Sequence, residues 1–423
     1  MEKAYKFINK NKTALYGVAI LMFTALFWLI QLLSGGKYID TYYLKDNKDS
    51  YMDYFNVLAF SRNDPYLYTT TNYPALCFVL LRIIINLLPN DLQTMTSFMM
   101  RDRMEAQLTL IFLYLICILL ISKIICDILS NNGEEHNRIL TFALMTAGPV
   151  TFTLERGNII LISFLFVLIF FKYYKSNSFK SRLFAYIALS IATGIKIYPA
   201  LYGLMLIENW KNKKKYIKEI IIFVLIEVVV FFLPFYYYSG IDSFIKMLNG
   251  IIKAGEAQNS SLFGFGINYS LENLIKIIYA IWGYYIDEVP LIIKFIFVII
   301  FLMLFLINQE QWSKSYCLTI IMILFPSFSY TYVLDFLIIP FILLLEKQTF
   351  RKIDYIYATL IMTTQILMVT KWINILPNIE VSQLRYPLYW NTIIVYISII
   401  TTTIIMTIDS VMRFTRIYKR TNC

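Results

Sequence analysis

The chain has few of the residues that most enzymes use for chemistry. It contains a single histidine, His136, and only five cysteines among 423 residues. One histidine argues against multi-histidine metal sites and against a serine-histidine pair. The cysteines stand singly, without a CxxC pair, so neither a disulfide framework nor a structural zinc site is indicated. Charged residues make up 15% of the chain, well below the level usual in soluble domains.

Apolar residues dominate the composition instead. Hydrophobic residues account for 59% of the chain and aromatic residues for 17%, which places it in a lipid bilayer. The formal net charge is +11, but the basic residues cluster at the ends of apolar runs rather than along one surface. That pattern sets orientation in a membrane and does not indicate a nucleic-acid partner. The sequence therefore predicts an all-α polytopic membrane protein forming one integral membrane domain over residues 1–423.

The apolar runs predict about twelve transmembrane helices. Several runs are shorter than the ~20 residues that cross a bilayer core, so these are expected to be tilted or broken helices. Irregular backbone at membrane depth is stable only where it is buried or lines a wet cavity. The runs fall at residues 13–33, 106–129, 139–152, 157–174, 183–194, 197–208, 219–238, 290–308, 315–326, 331–346, 353–372 and 391–411.

Basic clusters predict the topology. The run 13–33 is taken as a retained span, since it is long for a signal peptide and has no clean cleavage site. With cytoplasmic termini, the short basic loops fall on the inner side. This requires residues 74–88 to form an interfacial helix, and residues 183–208 to break near Lys196. The outer regions are then a first loop, 34–105, with that helix, and a large loop, 239–289. The Ile-, Lys- and Asn-rich composition suggests a bacterial source, hence the cytoplasmic membrane.

Asp53 is the first candidate for catalysis. It lies in a predicted polar loop, Ser34 to Thr71, between aromatic residues and next to a membrane surface. Such a carboxylate is partly removed from water and is suited to accept a proton from a hydroxyl. Alternatively it is a solvated loop residue like its neighbours, because four further aspartates lie in the same loop: Asp40, Asp46, Asp49 and Asp64. Their irregular spacing is not a recognised divalent-metal site.

Glu155 and Arg156 end an apolar run immediately before Gly157 and Asn158. Charges at the end of a span usually face a partner or a wet cavity. Arg156 is predicted to hold a phosphate oxygen through charge-assisted hydrogen bonds. The alternative is an interfacial pair that only ends the helix. Gly157 favours the functional interpretation, because it lets the backbone approach a neighbour closely.

Lys196 lies within an otherwise apolar stretch, beside Tyr198 and the helix-breaking Pro199. It either extends to the interface or supplies a positive charge for an anionic leaving group, with Tyr198 as a hydrogen-bond donor. The aromatic segment Ser327 to Tyr332 is a weaker candidate, because tyrosine is enriched at membrane interfaces in any case.

Six short motifs occur in an order that resembles the family-87 glycosyltransferases, which are membrane enzymes of the GT-C class. They are Tyr51-Met52-Asp53-Tyr54, Asn72-Tyr73-Pro74-Ala75-Leu76, Glu155-Arg156-Gly157-Asn158, Lys196-Ile197-Tyr198-Pro199, Gln258-Asn259-Ser260-Ser261 and Pro326 to Tyr332.

This resemblance implies transfer of a hexose, typically mannose, from a polyprenyl-phosphate sugar with inversion. The acceptor would be a lipid-linked or cell-envelope glycan at the outer face of the membrane. The resemblance implies Asp53 as the general base. Arg156 and Lys196 are assigned to the donor phosphate by their charge, together with Tyr198. Substrate contacts are predicted for the remaining motif residues, namely Glu155, Asn158, Asn259, Tyr330 and Tyr332. No cofactor is predicted, and a divalent metal ion bound by the outer aspartates stays an open alternative.

Two other functions fit parts of the sequence. A transporter or flippase of lipid-linked sugars would also have broken helices, but it would place ionisable residues near the bilayer midplane and show repeated halves. Glu227 is the main acid within a span, and the two halves do not match. An envelope polysaccharide polymerase would need a basic late outer loop, and residues 239–289 carry only sparse lysines.

Overall fold

The protein is helical throughout the part of the chain that the structure describes. The computed structural model describes residues 2–35, 50–67, 71–130, 133–208, 213–259, 268–281, 290–366 and 390–421. No strand occurs within these ranges. The predicted all-α class is therefore confirmed.

The α-helices are numbered in chain order. They are α1 Glu2–Ser34, α2 Met52–Phe60, α3 Ala75–Asn86, α4 Ser97–Arg101, α5 Met104–Ile128, α6 Glu134–Met145, α7 Gly148–Arg156, α8 Ile160–Tyr173, α9 Phe179–Ile195, α10 Lys213–Tyr236, α11 Ile241–Asn259, α12 Leu271–Ile281, α13 Leu291–Ile307, α14 Gln311–Leu324, α15 Ile338–Leu345, α16 Lys352–Thr363 and α17 Trp390–Thr421. Within the described ranges, four 3-10 helices accompany them, at Pro65–Leu67, Leu92–Thr94, Tyr198–Glu208 and Thr331–Leu337.

Four of the described helices are long and apolar enough to cross a membrane. The candidate spans are Phe7–Ser34, Met104–Ile128, Ile217–Tyr236 and Thr392–Arg413, each with large exposed apolar side chains. Since exposed apolar faces of this length are stable in lipid, the chain is a membrane protein. Shorter apolar helices, such as α8 and α13, lie between them. The count of about twelve spans stays a prediction.

The chain divides into two compact units. The first comprises Met1–Asp40, Ile128–Pro149 and Gln258–Cys423. Within it α1 packs along α6, where Gly17 allows close approach because a β-carbon there would lie 2.9 Å from the Leu140 backbone. Helices α14 and α15 form its core, and nearly all their side chains are buried.

The second unit comprises Thr41–Asp127 and Val150–Ala257. Here α8 packs on α9, and α9 packs on α10 and α3. A β-carbon at Gly194 would lie 2.5 Å from Leu76, so glycine at this position lets α9 and α3 approach closely. At the other end of α9, Arg182 and Glu219 form a buried ion pair with contacts of 2.8 and 3.1 Å.

One local prediction was wrong, and two others can be compared with the helices. The segment around Asp53 was predicted to be a loop but begins α2, because Tyr54, Phe55, Val57 and Leu58 are buried against the unit. The short run 139–152 is a broken helix, which agrees with the expectation for short runs, because it is interrupted between α6 and α7. Pro149 explains this break, since proline is tolerated in the first turn of a helix but not in its interior. The described part of residues 239–289 contains α11 and α12, and the position of this segment as an outer loop stays a prediction.

Among the basic residues near the ends of the apolar runs, Arg182 lies in α9 and is 8% exposed. Its carboxylate partner is 37 positions further along the chain, so the pairing has no local signature. The predicted break near Lys196 is confirmed, because α9 ends at Ile195 and the 3-10 helix begins at Tyr198. Residues 75–86 are helical as predicted, while their interfacial position stays a prediction.

Candidate active site

The site is built on the junction between α7 and α8. At the end of α7 the Gly157 N–H donates to the Leu154 carbonyl at 3.1 Å, and the Asn158 N–H donates to the Thr153 carbonyl at 3.0 Å. With Gly157 at φ +66, these two bonds form a Schellman motif. The Asn158 side chain then accepts from the Ile160 N–H at 3.0 Å and caps α8. One short segment thus ends one helix and starts the next.

The start of α2 is fixed against this junction. The Tyr51 N–H donates to the Glu155 carbonyl at 2.8 Å. Tyr51 has φ 62, a left-handed conformation that costs a non-glycine residue about 1 kcal/mol or more. A β-carbon on Gly157 would lie 2.9 Å from the Tyr51 backbone, so only glycine fits there. Strained backbone of this kind clusters at functional sites.

Asp53, in the first turn of α2, is held by both ends of the junction. The Arg156 guanidinium donates to its Oδ1 at 3.0 Å, and the Asn158 amide donates to its Oδ2 at 2.8 Å. The side chains of Asp53 and Arg156 are 20% and 26% exposed, while Asn158 is buried. Each carboxylate oxygen keeps a further acceptor position. The carboxylate is therefore fixed in orientation and still reachable from the cavity described next.

A cavity of about 170 Å³ opens beside Asp53. One face of α2 lines it, because residues three, four and seven positions apart lie on the same side of a helix. The segment before α3 and one residue of α3 form the opposite wall. The lining residues are Asp53, Asn56, Val57, Phe60, Thr71, Asn72, Tyr73 and Phe78.

Lys196 lies over the ring of Tyr73, with its Nζ 3.8 Å from the ring centroid. Loss of water lowers the pKa of Lys196 from 10.5 to about 8, while the negative charge of Asp53 favours the ammonium form. Burial raises the pKa of Tyr73 well above its ordinary value, Asp53 raises it further, and the Asn158 amide opposes both. Tyr73 is therefore a neutral phenol at working pH. The site combines one carboxylate with two cations.

The aromatic segment near residue 330 belongs to the first unit. Tyr330 packs against Phe328, with ring centroids 4.0 Å apart, and Tyr332 lies 5.6 Å from Tyr330. The Asn268 side chain fixes this segment by accepting from the Ser329 N–H at 2.9 Å. Substrate contacts by Tyr330 and Tyr332 stay predictions.

A buried ion pair lies beside that segment. Lys294 donates to Glu272 at 2.8 Å and to Ser327 at 2.9 Å. This pair satisfies the charge of Glu272, which is almost completely buried. The segment from Ser327 to Ser329 is therefore held in place by polar contacts from Lys294 of α13 and from Asn268, which lies three residues before α12.

The structure brings Asp53, Arg156 and Asn158 together, and Lys196 lies near them because its partner Tyr73 shares the cavity wall with Asp53. Tyr198 is close enough to Tyr73 to raise the pKa of that phenol. The other predicted residues have less defined places. Glu155 contributes its backbone carbonyl, and the side chain of Asn259 lies outside the described residues.

Sequence reasoning gave no role to Tyr73, which lies in a motif of the resemblance, or to Asn56, which lies just after one. Asn56 is one helical turn from Asp53, but this spacing had no meaning while the segment was predicted to be a loop. Tyr73 had no usable signal, since its partner Lys196 is distant in the chain. Within the described ranges, no group of three or more His, Cys, Asp and Glu side chains is arranged to hold a metal.

The profile of Glycosyltransferase family 87 matches residues 104–330, which is more than half of the chain. This range includes Arg156, Asn158, Lys196 and Tyr330, and it begins after Asp53. No curated protein and no solved structure matches the chain significantly. An all-helical membrane chain with a carboxylate, two cations and a cavity agrees with the family match, and the chain belongs to glycosyltransferase family 87.

Proposed function

We propose that the protein transfers a hexose, with mannose the first candidate, from a polyprenyl-phosphate sugar to a lipid-linked or cell-envelope glycan. The observation that carries this proposal is the Asp53 carboxylate, held by Arg156 and Asn158 at the wall of a cavity. The reaction takes place at the outer face of a bacterial cytoplasmic membrane, in a GT-C type fold with cytoplasmic termini.

Asp53 acts as the general base. The acceptor hydroxyl enters the cavity and donates its hydrogen to the carboxylate oxygen that faces it. As Asp53 takes this proton, the hydroxyl oxygen forms a bond to the anomeric carbon of the sugar. The bond from that carbon to the phosphate oxygen breaks on the opposite side, so the product has inverted configuration. General-base catalysis of this kind contributes about 100-fold to 10,000-fold in rate.

The cations serve the leaving group. Polyprenyl phosphate departs as an anion, so it needs positive charge more than it needs a proton donor. Lys196 supplies this charge beside the cavity, and Tyr198 is the predicted hydrogen-bond donor. Arg156 pairs with Asp53 at the cavity wall and is assigned to the phosphate by its positive charge. One carboxylate with two cations gives the site a net positive charge, which favours a phosphorylated substrate.

The cavity supports transfer over hydrolysis. Inverting glycosidases place two carboxyl groups on opposite sides of the scissile bond. Of the described residues that line this cavity, Asp53 is the one carboxylate. The remaining predicted contacts, from Glu155, Asn158, Asn259, Tyr330 and Tyr332, would bind the donor and acceptor glycans.

The test is sugar transfer in membranes that contain the protein, using labelled polyprenyl-phosphate mannose or glucose as donor. We expect transfer by the wild type and a loss of at least about 100-fold in Asp53→Asn. Asp64→Asn is the matched control. Asp64 accepts from the Tyr66 N–H through Oδ1 at 2.9 Å, and asparagine keeps that oxygen. Full transfer by Asp53→Asn at equal expression would show that another acid is the base.

A further inference from the structure

Tyr73 has contacts that the proposed reaction does not yet use. Its ring lies under the Lys196 ammonium at 3.8 Å, well within the ~6 Å over which a ring face attracts a cation. The same side chain lines the cavity with Asp53 and lies within hydrogen-bonding reach of Asn158. Tyr73 therefore contacts Lys196 and borders the cavity together with Asp53.

Tyr73 is itself held firmly. The Tyr66 hydroxyl donates to the Tyr73 carbonyl at 2.9 Å, and Tyr66 is almost fully buried between Phe78, Phe235 and Tyr238. The ring of Tyr73 also packs against Phe78 with centroids 6.2 Å apart. The ring face under Lys196 is thus fixed to α3 and α10 rather than carried by a free loop.

Lys196 is held from its own side as well. It follows the last residue of α9, and its N–H donates to the Ala192 carbonyl at 2.9 Å. The close contact between Gly194 and Leu76 brings this end of α9 against the start of α3. Lysine has a long flexible side chain that loses considerable entropy when it is fixed. An aromatic face below the ammonium reduces the number of positions it can adopt.

We propose that Tyr73 is a positioning residue, whose ring holds the Lys196 ammonium beside the Asp53 cavity so that it meets the phosphate of the donor. This inference rests on the proposed function, since Lys196 is taken as a ligand of that phosphate. The hydroxyl of Tyr73 contributes less than its ring, because Asn158 already has partners in Asp53 and Ile160.

The first test measures the titration of the Lys196 ammonium and does not depend on sugar transfer. The purified protein is labelled at lysines over a pH series, and the modification of Lys196 is followed by mass spectrometry. A ring face favours the charged form, so Tyr73→Leu should shift the Lys196 titration about one pH unit downward. Tyr73→Phe should leave it within a few tenths of a unit. Tyr237→Leu is the matched control, because Tyr237 lies under Arg82 at 5.3 Å.

The second test measures transfer from polyprenyl-phosphate mannose. We expect Tyr73→Leu to raise the donor KM about tenfold or more, Tyr73→Phe to change it less than threefold, and Tyr237→Leu to leave it unchanged. An unshifted Lys196 titration in Tyr73→Leu would overturn the positioning role, whatever the enzyme transfers. If the Lys196 titration shifts but the protein transfers no sugar, the proposed function is contradicted and the contact between Tyr73 and Lys196 is still supported.

Discussion

Gly157 lies against the backbone of Tyr51 so closely that a β-carbon on residue 157 would be 2.9 Å from both the α-carbon and the carbonyl oxygen of Tyr51. The two residues belong to segments that carry Arg156 and Asp53. Their contact therefore sets how the carboxylate meets its guanidinium partner.

Gly157→Ala should damage both stability and activity. The change places a side chain at φ +66, which costs about 1 to 2 kcal/mol, and forces the Tyr51 backbone to move. We expect a lower midpoint of thermal unfolding and at least tenfold slower transfer. Gly35→Ala is the control, because Gly35 has φ +58 with nothing within 4 Å of the added carbon. Equal effects of the two changes would show that the close contact is unimportant.

Asn158→Asp should separate activity from folding. The new side chain keeps the oxygen that caps α8 through the Ile160 N–H but loses the amide that donates to Asp53. A second carboxylate at this distance repels the first and favours its protonation. We expect transfer to fall about 100-fold while the thermal midpoint changes little. In Asn158→Leu the cap is lost too, so stability should also decline.

The pH dependence of transfer should report Lys196. Its pKa is lowered to about 8, so the ammonium is present below that pH and is lost as the pH rises through it. We expect kcat/KM for the donor to decline above about pH 8 in the wild type. Arginine stays charged throughout this range, so Lys196→Arg should remove the decline even if its maximum rate is lower. A decline that persists in Lys196→Arg would assign the titration to another group.

The ion pair of Arg182 and Glu219 should matter for stability alone. It is buried, and the Tyr186 hydroxyl also donates to Glu219 at 2.8 Å. Removing one partner of such a pair costs about 3 to 5 kcal/mol, because it leaves a buried charge without its partner. The single variant Arg182→Met should therefore be less stable than the double variant that combines Arg182→Met with Glu219→Leu. Thermal unfolding of the two variants in one detergent measures this difference.

The same variants also test whether the ion pair of Arg182 and Glu219 is independent of the candidate active site. Arg182 and Lys196 are separated by about 21 Å along α9, at 1.5 Å per residue. The pH profile of transfer should then be unchanged in the double variant. A shifted profile would mean that α9 transmits changes from one end to the other.

The helices were largely predictable because apolar runs of sufficient length leave few other structures possible in lipid. The break at Lys196 was predictable as well, since Pro199 prevents a continuous helix. The helix at Asp53 was missed because it is only nine residues long and lies in an otherwise polar segment, and burial against the rest of the unit decides its structure.

The contacts of the site were harder to predict than the residues. Asp53 and Arg156 are 103 positions apart, and nothing local in the sequence pairs them. The same holds for Tyr73 and Lys196, whose contact depends on the packing of α9 against α3. Sequence motifs identified the charged groups, whereas packing determined which group each one contacts.

The junction of α7 and α8 sets the spacing of the two donors. Arg156 and Asn158 are two residues apart, and each donates to a different oxygen of the same carboxylate. Their separation is fixed by hydrogen bonds of the main chain on both sides of Gly157. Insertion or deletion of a single residue here would misplace one donor whatever its side chain. In this segment the number of residues is as strictly constrained as their identity.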